Sequence, residues 1–463
     1  MIPMSLAEVA EVVGGTVADD VPGAASVVVT GPAFLDSREV VPGGLFAAFA
    51  GEKADGHRFA EGAVSSGAAA VLGSRPVGVP AVVVADVRDA LQRLAHHVLD
   101  RLPGLRVVGL TGSQGKTSTK DLLAGVLPAA GATIATAGSF NNELGLPLTV
   151  LRADAGTRFL VLEMGARGIG HIAELCRIAR PSVSLVLNVG KAHLGEFGTQ
   201  QDIATAKGEL VEALPEAGLA VLNADDPLVS AMAARTSARV LGFGRGAGAA
   251  VRLSELEVGP DGRPTFTLAY DGRSARVRLR LLGEHMADNA TAAAAVALGL
   301  GMDLDVVAEQ LGEVTALSRW RMELHERPDG SCVLNDAYNA NPDSMAAALR
   351  ALVALARGRG GRSVAVLGEM LELGESSAEE HRAVGRLAGE LGVARVVGVG
   401  PAAAAIVEGA SETSEEEPVQ VQDNAAAVAW LQEHTGAGDV VLVKASRGAR
   451  LDEVASALLE VDA

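Results

Sequence analysis

The stretch Thr111-Gly112-Ser113-Gln114-Gly115-Lys116-Thr117, followed by Ser118, joins the apolar run Val107 to Leu110 to the start of a helical pattern. Residues of these types at this spacing do phosphate chemistry. Backbone N–H groups at a glycine loop and a helix start point at phosphate oxygens. The lysine adds a mobile positive charge, and the threonine hydroxyl is a ligand for Mg²⁺. Leu110 stands where the general phosphate loop has its first glycine, so this loop is shorter than that pattern. In a chain with 55 glycines the competing reading is an ordinary tight turn. The strand-loop-helix setting favours a nucleoside triphosphate as substrate.

Three more residues extend the chemistry. Glu163 closes the apolar run from Phe159, and His193 follows the run Val183 to Asn188. If these runs are parallel strands, both side chains fall on the edge that carries the phosphate loop. Carboxylate oxygen and imidazole nitrogen there hold Mg²⁺ beside a triphosphate; taken singly, they read as a surface carboxylate and a capping histidine. Lys207 lies in the helical pattern Gln200 to Leu214, on the apolar stripe of Ile203, Leu210, Val211 and Leu214. An amine so placed snorkels, pairs with an acid, loses its charge, or reacts when neutral with CO₂ to form an anionic carbamate that can ligate Mg²⁺. Periodicity leaves all four open.

The elements around these residues imply an α/β protein of three domains. Short apolar runs broken by Gly and Pro make a small mixed α/β domain over residues 1–84. Asp86 to Leu102 reads as a bridging helix. Residues 85–316 form a central phosphate-loop ATPase domain: parallel strands at Val107, Phe159, Val183 and Leu219, then alternating runs at 251–282 that predict an antiparallel subsheet. Buried runs at Ser363, Arg395 and Asp439 place a Rossmann-like α/β domain in residues 317–463. The acidic run Ser411 to Glu417 reads as a solvated loop.

Bulk properties set limits. A formal charge of −18 and 3% aromatic residues argue against nucleic acid as a partner. No apolar run reaches membrane-span length, and the first residues lack the blocks of a signal peptide. Two cysteines, Cys176 and Cys332, are too few for a disulfide framework. A monomeric cytoplasmic protein with no membrane partner is expected.

Taken together, the motifs resemble the Mur ligase family, which builds the peptide of peptidoglycan. The loop Thr111 to Thr117 matches its short ATP loop. Glu163, His193 and Ala206-Lys207 match its metal positions and its carbamoylated lysine. His285 and Asn289 resemble an H-N-x-x-N segment whose later Asn contacts adenine, with Met286 in place of the first Asn. Arg321-Met322-Glu323 resembles the arginine motif that opens the C-terminal domain, with Ser318-Arg319-Trp320 in place of its Pro-Gly approach. Asp336-Ala337-Tyr338-Asn339-Ala340-Asn341-Pro342 puts Asp336 in a nucleotide-contacting position. Lys444-Ala445-Ser446-Arg447 resembles a late K-G-S-R motif. Asp36-Ser37-Arg38, Pro42 to Phe46 and Asp55-Gly56-His57 look like the N-terminal domain of the third and fourth ligases. Asn141-Asn142-Glu143-Leu144-Gly145-Leu146-Pro147 resembles the last ligase, and the Asp-Asn-Pro-Arg motif of the diaminopimelate-adding enzyme is absent.

The resemblance implies ATP, Mg²⁺ and a carbamoylated Lys207, with UDP-MurNAc-tripeptide and D-Ala-D-Ala as substrates. ATP would convert a carboxylate to an acyl phosphate that the dipeptide amine attacks. It assigns ATP contacts to Thr111 through Ser118, Asn289, Arg321 and Asp336, with Lys116 on the β/γ-phosphates. Thr117 and Glu163 would hold one Mg²⁺; His193 and carbamoylated Lys207 would hold a second. Ser37 and Arg38 would grip the UDP-sugar, with a capped turn as the alternative. Asn142, Asn339, Asn341, Ser344, Lys444, Ser446 and Arg447 complete the substrate contacts. Two other readings are a ligase of the folate-polyglutamylating kind and a nucleotide-binding module without activity.

Overall fold

The computed structural model describes residues 1–51, 54–190 and 194–460. Besides a short antiparallel pair, Met4–Ser5 with Val28–Val29, the first domain is built on a five-stranded sheet in the order Thr16–Val17, Ala81–Val83, Ala70–Gly73, Leu45–Ala47, Ala33–Phe34. Its first pair is antiparallel and the rest are parallel. Helix α1 (Val87–Asp100) follows, capped by the Asp86 carboxylate, which accepts from the amides of Arg88 and Asp89. Its buried stripe, Leu91, Leu94, Ala95 and Val98, is the one the 3.6-residue period selects. One apolar cluster runs from Val9, Leu45 and Leu72 through this stripe to Leu160, Leu162 and Leu175. The helix therefore bridges the first sheet to the second without an intervening polar layer.

The central sheet is built from β1 (Arg106–Thr111), β2 (Thr133–Ala135), β3 (Phe159–Glu163), β4 (Val183–Val186), β5 (Leu219–Asn223), β6 (Arg239–Gly244), β7 (Val251–Val258), β8 (Pro264–Tyr270) and β9 (Arg273–Arg278). Its order is β9-β8-β7-β6-β5-β4-β1-β3-β2. The seven strands from β2 to β7 are parallel neighbours. β7, β8 and β9 pair antiparallel, as their alternating sequence predicts. The helices named here are α2 (Lys116–Val126), α3 (His171–Ala179), α4 (Gln200–Glu212) and α5 (His285–Gly299). Alternation in β1 sends Val108 and Leu110 toward the core that holds α2 and α5, and Val107 toward the core shared with α1 and α3. The alanines of α5, among them Ala292 to Ala295, are buried, so a slim helix lies close on the sheet. β1 is hydrogen-bonded on both sides and buried from Val107 on, which makes it a rigid stem for the loop that follows.

The third sheet contains β10 (Glu323–Glu326), β11 (Cys332–Asn335), β12 (Ser363–Leu367), β13 (Arg395–Val399), β14 (Val419–Val421) and β15 (Val440–Lys444), in the order β10-β11-β15-β12-β13-β14. Only β10 is antiparallel to its neighbour. Helix α6 (Pro342–Arg359) buries Met345, Leu349, Leu352 and Leu355 against one face. The run Ser411 to Glu417 is largely exposed beyond a helix end, and Glu416 pairs with Arg395. No helix among the described residues is long and apolar enough to cross a membrane.

Candidate active site

β1 delivers its chain into a tight loop, and Gly115, at φ +79°, turns it into α2. A side chain at that glycine would strike the Asn289 carboxamide, whose Oδ1 lies 2.5 Å from the position of a Cβ. The close approach and the left-handed backbone both require glycine there. Unlike α1, α4 and α6, whose starts are capped by Asp86, Thr199 and Asn341, α2 has no side-chain cap. Its first-turn amides have no intrahelical acceptor and stay available to an anion. The Asn188 carboxamide oxygen accepts from the amides of Ser113 and Gln114, at 3.0 Å each, and so holds the loop to the next strand end. Lys116 Nζ folds back onto the Gly112 carbonyl at 2.7 Å, and burial lowers its pKa while Glu163 opposes that shift.

The end of β3 faces this loop. Thr117 Oγ1 donates to Glu163 Oε2 at 3.0 Å, and Asn141 Nδ2 donates to Glu163 Oε1 at 2.8 Å. Glu163 is 2% exposed, so the carboxylate is fixed before any ligand arrives. A hydroxyl and a carboxylate side by side are hard oxygen donors, the set Mg²⁺ takes when phosphates and water complete its shell. Thr111 Oγ1, one strand away, is spent on the Met164 carbonyl. Lys207 comes from α4 and is 4% exposed. Among the described residues no hydrogen bond or ion pair reaches its amine. Burial pushes its pKa well below the ordinary lysine value, and the charge of Lys116 adds to the shift. Snorkelling and acid pairing, two of the four outcomes open to the sequence, are therefore not what the structure displays. His193 lies outside the described residues.

The C-terminal domain reaches over the loop. Arg321 Nη2 lies 3.4 Å from Thr117 Oγ1, and its guanidinium rests 4.3 Å above the Tyr338 ring. Its Nε is buried and has no hydrogen-bond partner among the described residues. The Tyr338 hydroxyl bonds Ser139 of the central domain. Lys120 pairs with Asp121 at 2.6 Å, and both hold Ser318 of the connecting segment. Asp343 Oδ2 lies 2.5 Å from where a Cβ on Gly190 would stand. These contacts join residues that are far apart in sequence, 197 to 204 positions for the hydrogen bonds, and put two domains around one loop.

The remaining candidates divide in two. Ser118 lies in the first turn of α2, and Asn289, from α5, packs against Gly115 of the loop. The others lie in bonds of their own. Asp336 Oδ2 takes Lys444 Nζ at 2.5 Å, and the same amine reaches the Asn339 carbonyl at 3.0 Å. Asn341 and Ser344 form a reciprocal capping box at the start of α6. Asn142 accepts from the amides of Leu144 and Gly145. Ser446 accepts from the Leu371 amide, and Arg447 stacks 4.0 Å over Trp320. In the first domain Arg38 is held by Asp36 at 2.6 Å on an exposed turn, with Ser37 between them. Sequence reading passed over Asn188, Lys120 and Asp343. Of these only Asn188 carried a usable signal, as the polar residue ending a strand beside the phosphate loop.

A phosphate loop at the carboxyl edge of a parallel sheet, roofed by a second α/β domain, has the form of a nucleotide-dependent enzyme whose site lies between two domains. Matches to family models cover most of the chain: Mur ligase family catalytic domain at residues 34–103, Mur ligase middle domain at 110–297, and Mur ligase glutamate ligase domain at 320–447. The UDP-N-acetylmuramoyl-tripeptide–D-alanyl-D-alanine ligase of Mycobacterium tuberculosis is 48% identical, over 100% of this chain and 99% of its own length. The enzyme of the same name from Bacillus subtilis is 36% identical, over 99% of both chains. Among solved structures, MurF from Acinetobacter baumannii has a TM-score of 0.86 at 32% identity over 99% of both chains. MurF from Thermotoga maritima in complex with ADP has a TM-score of 0.79 at 31% identity over 93% of this chain and 98% of its own. The chain belongs to the Mur ligase family.

Proposed function

We propose that this protein uses ATP to join D-Ala-D-Ala to UDP-MurNAc-tripeptide, giving UDP-MurNAc-pentapeptide, ADP and phosphate. A carboxylate does not yield an amide efficiently, because its oxyanion is a poor leaving group. Transfer of the γ-phosphoryl group to that oxygen makes an acyl phosphate. The dipeptide amine then adds to the carbonyl, and the tetrahedral intermediate expels phosphate. The observation that carries the reading is the uncapped start of α2 facing the Thr117–Glu163 pair, with Arg321 of the C-terminal domain above it. The choice of substrates rests on end-to-end likeness to the ligases named above.

Phosphoryl transfer needs placement and charge neutralisation more than covalent help. The amides at Gly115 to Thr117 bind phosphate oxygens, and Lys116 leaves the Gly112 carbonyl to meet the β/γ-phosphates. Thr117 and Glu163 would hold Mg²⁺, which would lower the repulsion between triphosphate and carboxylate. Arg321 orients the phosphates from above, and its unsatisfied Nε is a donor ready for them. Asn289 sits against Gly115, where the nucleotide enters. The neutral Lys207 amine takes up CO₂ and releases a proton to become a carbamate, a second anionic ligand for Mg²⁺, in the role that the resemblance shares between Lys207 and His193. Burial with no partner among the described residues supports that step, because only the uncharged amine reacts. Ser37 and Arg38 serve the UDP-sugar; Asn142, Asn339, Asn341, Ser344, Lys444, Ser446 and Arg447 shape the dipeptide side. A reaction fed by ATP and a UDP-linked precursor belongs in the cytoplasm.

Mass spectrometry after incubation with ATP, Mg²⁺, UDP-MurNAc-tripeptide and D-Ala-D-Ala tests the assignment. The expected product carries both alanines, and phosphate release requires the dipeptide. Release with single amino acids or glutamate instead would move the protein to another ligase activity. No ATP turnover with every substrate present would make it a binding module.

A further inference from the structure

A cleft of about 340 Å³ opens at the amino-terminal edge of the central sheet, the edge opposite the phosphate loop. Arg106 at the start of β1, Arg158 just before β3 and Arg239 at the start of β6 line it, with Ser182 and Gly218 before the strands between them. No aspartate or glutamate lines it. Several arginines elsewhere in this domain take carboxylates: Arg245 pairs with Glu284 and Asp288, Arg273 with Asp303 and Asp305, and Arg280 with Glu313. In the cleft none does so among the described residues. Arg158 donates to the Ala130 carbonyl at 2.6 Å and Arg239 to the Gly299 carbonyl at 2.8 Å. The Arg106 side chain has no hydrogen bond or ion pair with a described residue. Two of the three sit on directly bonded backbone, since the Arg106 amide donates to the Arg158 carbonyl at 2.9 Å.

Three uncompensated guanidinium groups around one concave surface repel each other and focus a positive potential, in a chain whose formal charge is −18. An anion relieves both. Small residues floor the centre, and arginines rise on either side. Neighbouring strands lie about 4.8 Å apart, so three strand steps separate Arg239 from Arg106 by about 14 Å at the backbone. Guanidinium groups set on both sides of that span suit an anion with two charged ends better than one with a single centre. Each is a planar fork suited to a phosphoryl group. We propose that this cleft binds a small ligand bearing two linked phosphoryl groups. The site is independent of ATP: β1 runs from Arg106 to Thr111, about 17 Å at roughly 3.3 Å per residue, so the two sites lie at opposite ends of one strand.

Inorganic pyrophosphate is the probe, titrated calorimetrically into the full-length protein saturated with ADP, so that the phosphate loop is already filled. The expected result is one saturable site. Arg106→Gln and Arg239→Gln should each weaken it about tenfold or more, the loss of one charged fork, with ADP affinity unchanged. Orthophosphate should bind about tenfold more weakly than pyrophosphate, and added salt should weaken both. Arg106 is exposed and unpartnered, so its replacement leaves the melting temperature in place and isolates the charge. Absence of saturable binding at millimolar pyrophosphate overturns the proposal. So does binding that is the same in both variants as in the unaltered protein, or equal affinity for orthophosphate.

Discussion

Two lysines, one in the central domain and one in the C-terminal domain, are buried to the same degree and live opposite lives. Lys207 is 4% exposed and Lys444 is 1% exposed, and burial lowers the pKa of both. The Lys444 amine has a carboxylate at 2.5 Å and a carbonyl at 3.0 Å, and Asp336 counters the effect of burial. Among the described residues Lys207 has neither, and the positive charge of Lys116 adds to the effect of burial. The contrast runs through the regions around them. At the phosphate loop, donors wait: a helix start without a side-chain cap and, among the described residues, Arg321 Nε without an acceptor and an amine without an acid. Around Lys444, motif residues satisfy one another, as the Asn341–Ser344 capping box does. Unmet polar groups in a buried place are unfavourable for folding, and they persist where a ligand completes them.

Lys207→Ala gives the largest effect expected from this contrast. Turnover should fall by about 10³-fold or more, the scale of losing a preorganised charge contact. Bicarbonate should not restore it, and a small carboxylic acid should restore part by standing in the carbamate's place. Stability should move the other way in Lys207→Met. The native pKa of Lys207 is depressed below its unfolded value. Between those two values the unfolded chain binds more protons, so this site's contribution to stability rises with pH and its penalty disappears above the unfolded pKa. In CO₂-free buffer the Met variant should therefore melt higher at neutral pH, with the gain shrinking as pH approaches the ordinary lysine range. Calorimetry at several pH values reads this. A lower melting temperature at neutral pH breaks the picture of an unpaired amine.

Lys444→Ala tests the other side. It leaves Asp336 buried without its cation, and breaking such a pair costs about 3–5 kcal/mol. Denaturant unfolding should show that loss, and adding Asp336→Asn should recover much of it. An unchanged melting temperature together with lost turnover would move Lys444 from the framework into the chemistry.

The legible part of the molecule was the local part. The glycine loop, the strand closing at Glu163, the bridging stripe of Leu91, Leu94 and Val98, and the hairpins after Val251 follow from periodicity and turn chemistry over a few residues. The burial of Lys207 followed from its place on an apolar stripe. Its lack of a partner among the described residues did not, because that depends on what elements distant in sequence bring near it. Contacts between domains were equally hidden. Ser139 with Tyr338 and Lys120 with Ser318 join residues 199 and 198 positions apart, and no helical or strand period links them. Two-residue strands such as Thr16–Val17 and Ala33–Phe34 were too short for alternation to register.

Asn341→Ala carries the smallest effect and sharpens the contrast most directly, because the same residue has a structural and a functional claim on it. Its Oδ1 accepts from the Ser344 amide at 2.9 Å, and Ser344 Oγ accepts from the Asn341 amide at 3.0 Å. Loss of one such cap costs about 1 kcal/mol. If the box is Asn341's main role, unfolding free energy drops by that amount, Asn341→Asp keeps most of it, and the KM for D-Ala-D-Ala barely moves in either variant. If the side chain leaves the cap to hold the dipeptide, KM rises in both variants while the stability loss stays at about 1 kcal/mol only in Asn341→Ala. Measured together, KM and unfolding free energy decide how far the self-satisfied network of the C-terminal domain extends into substrate recognition.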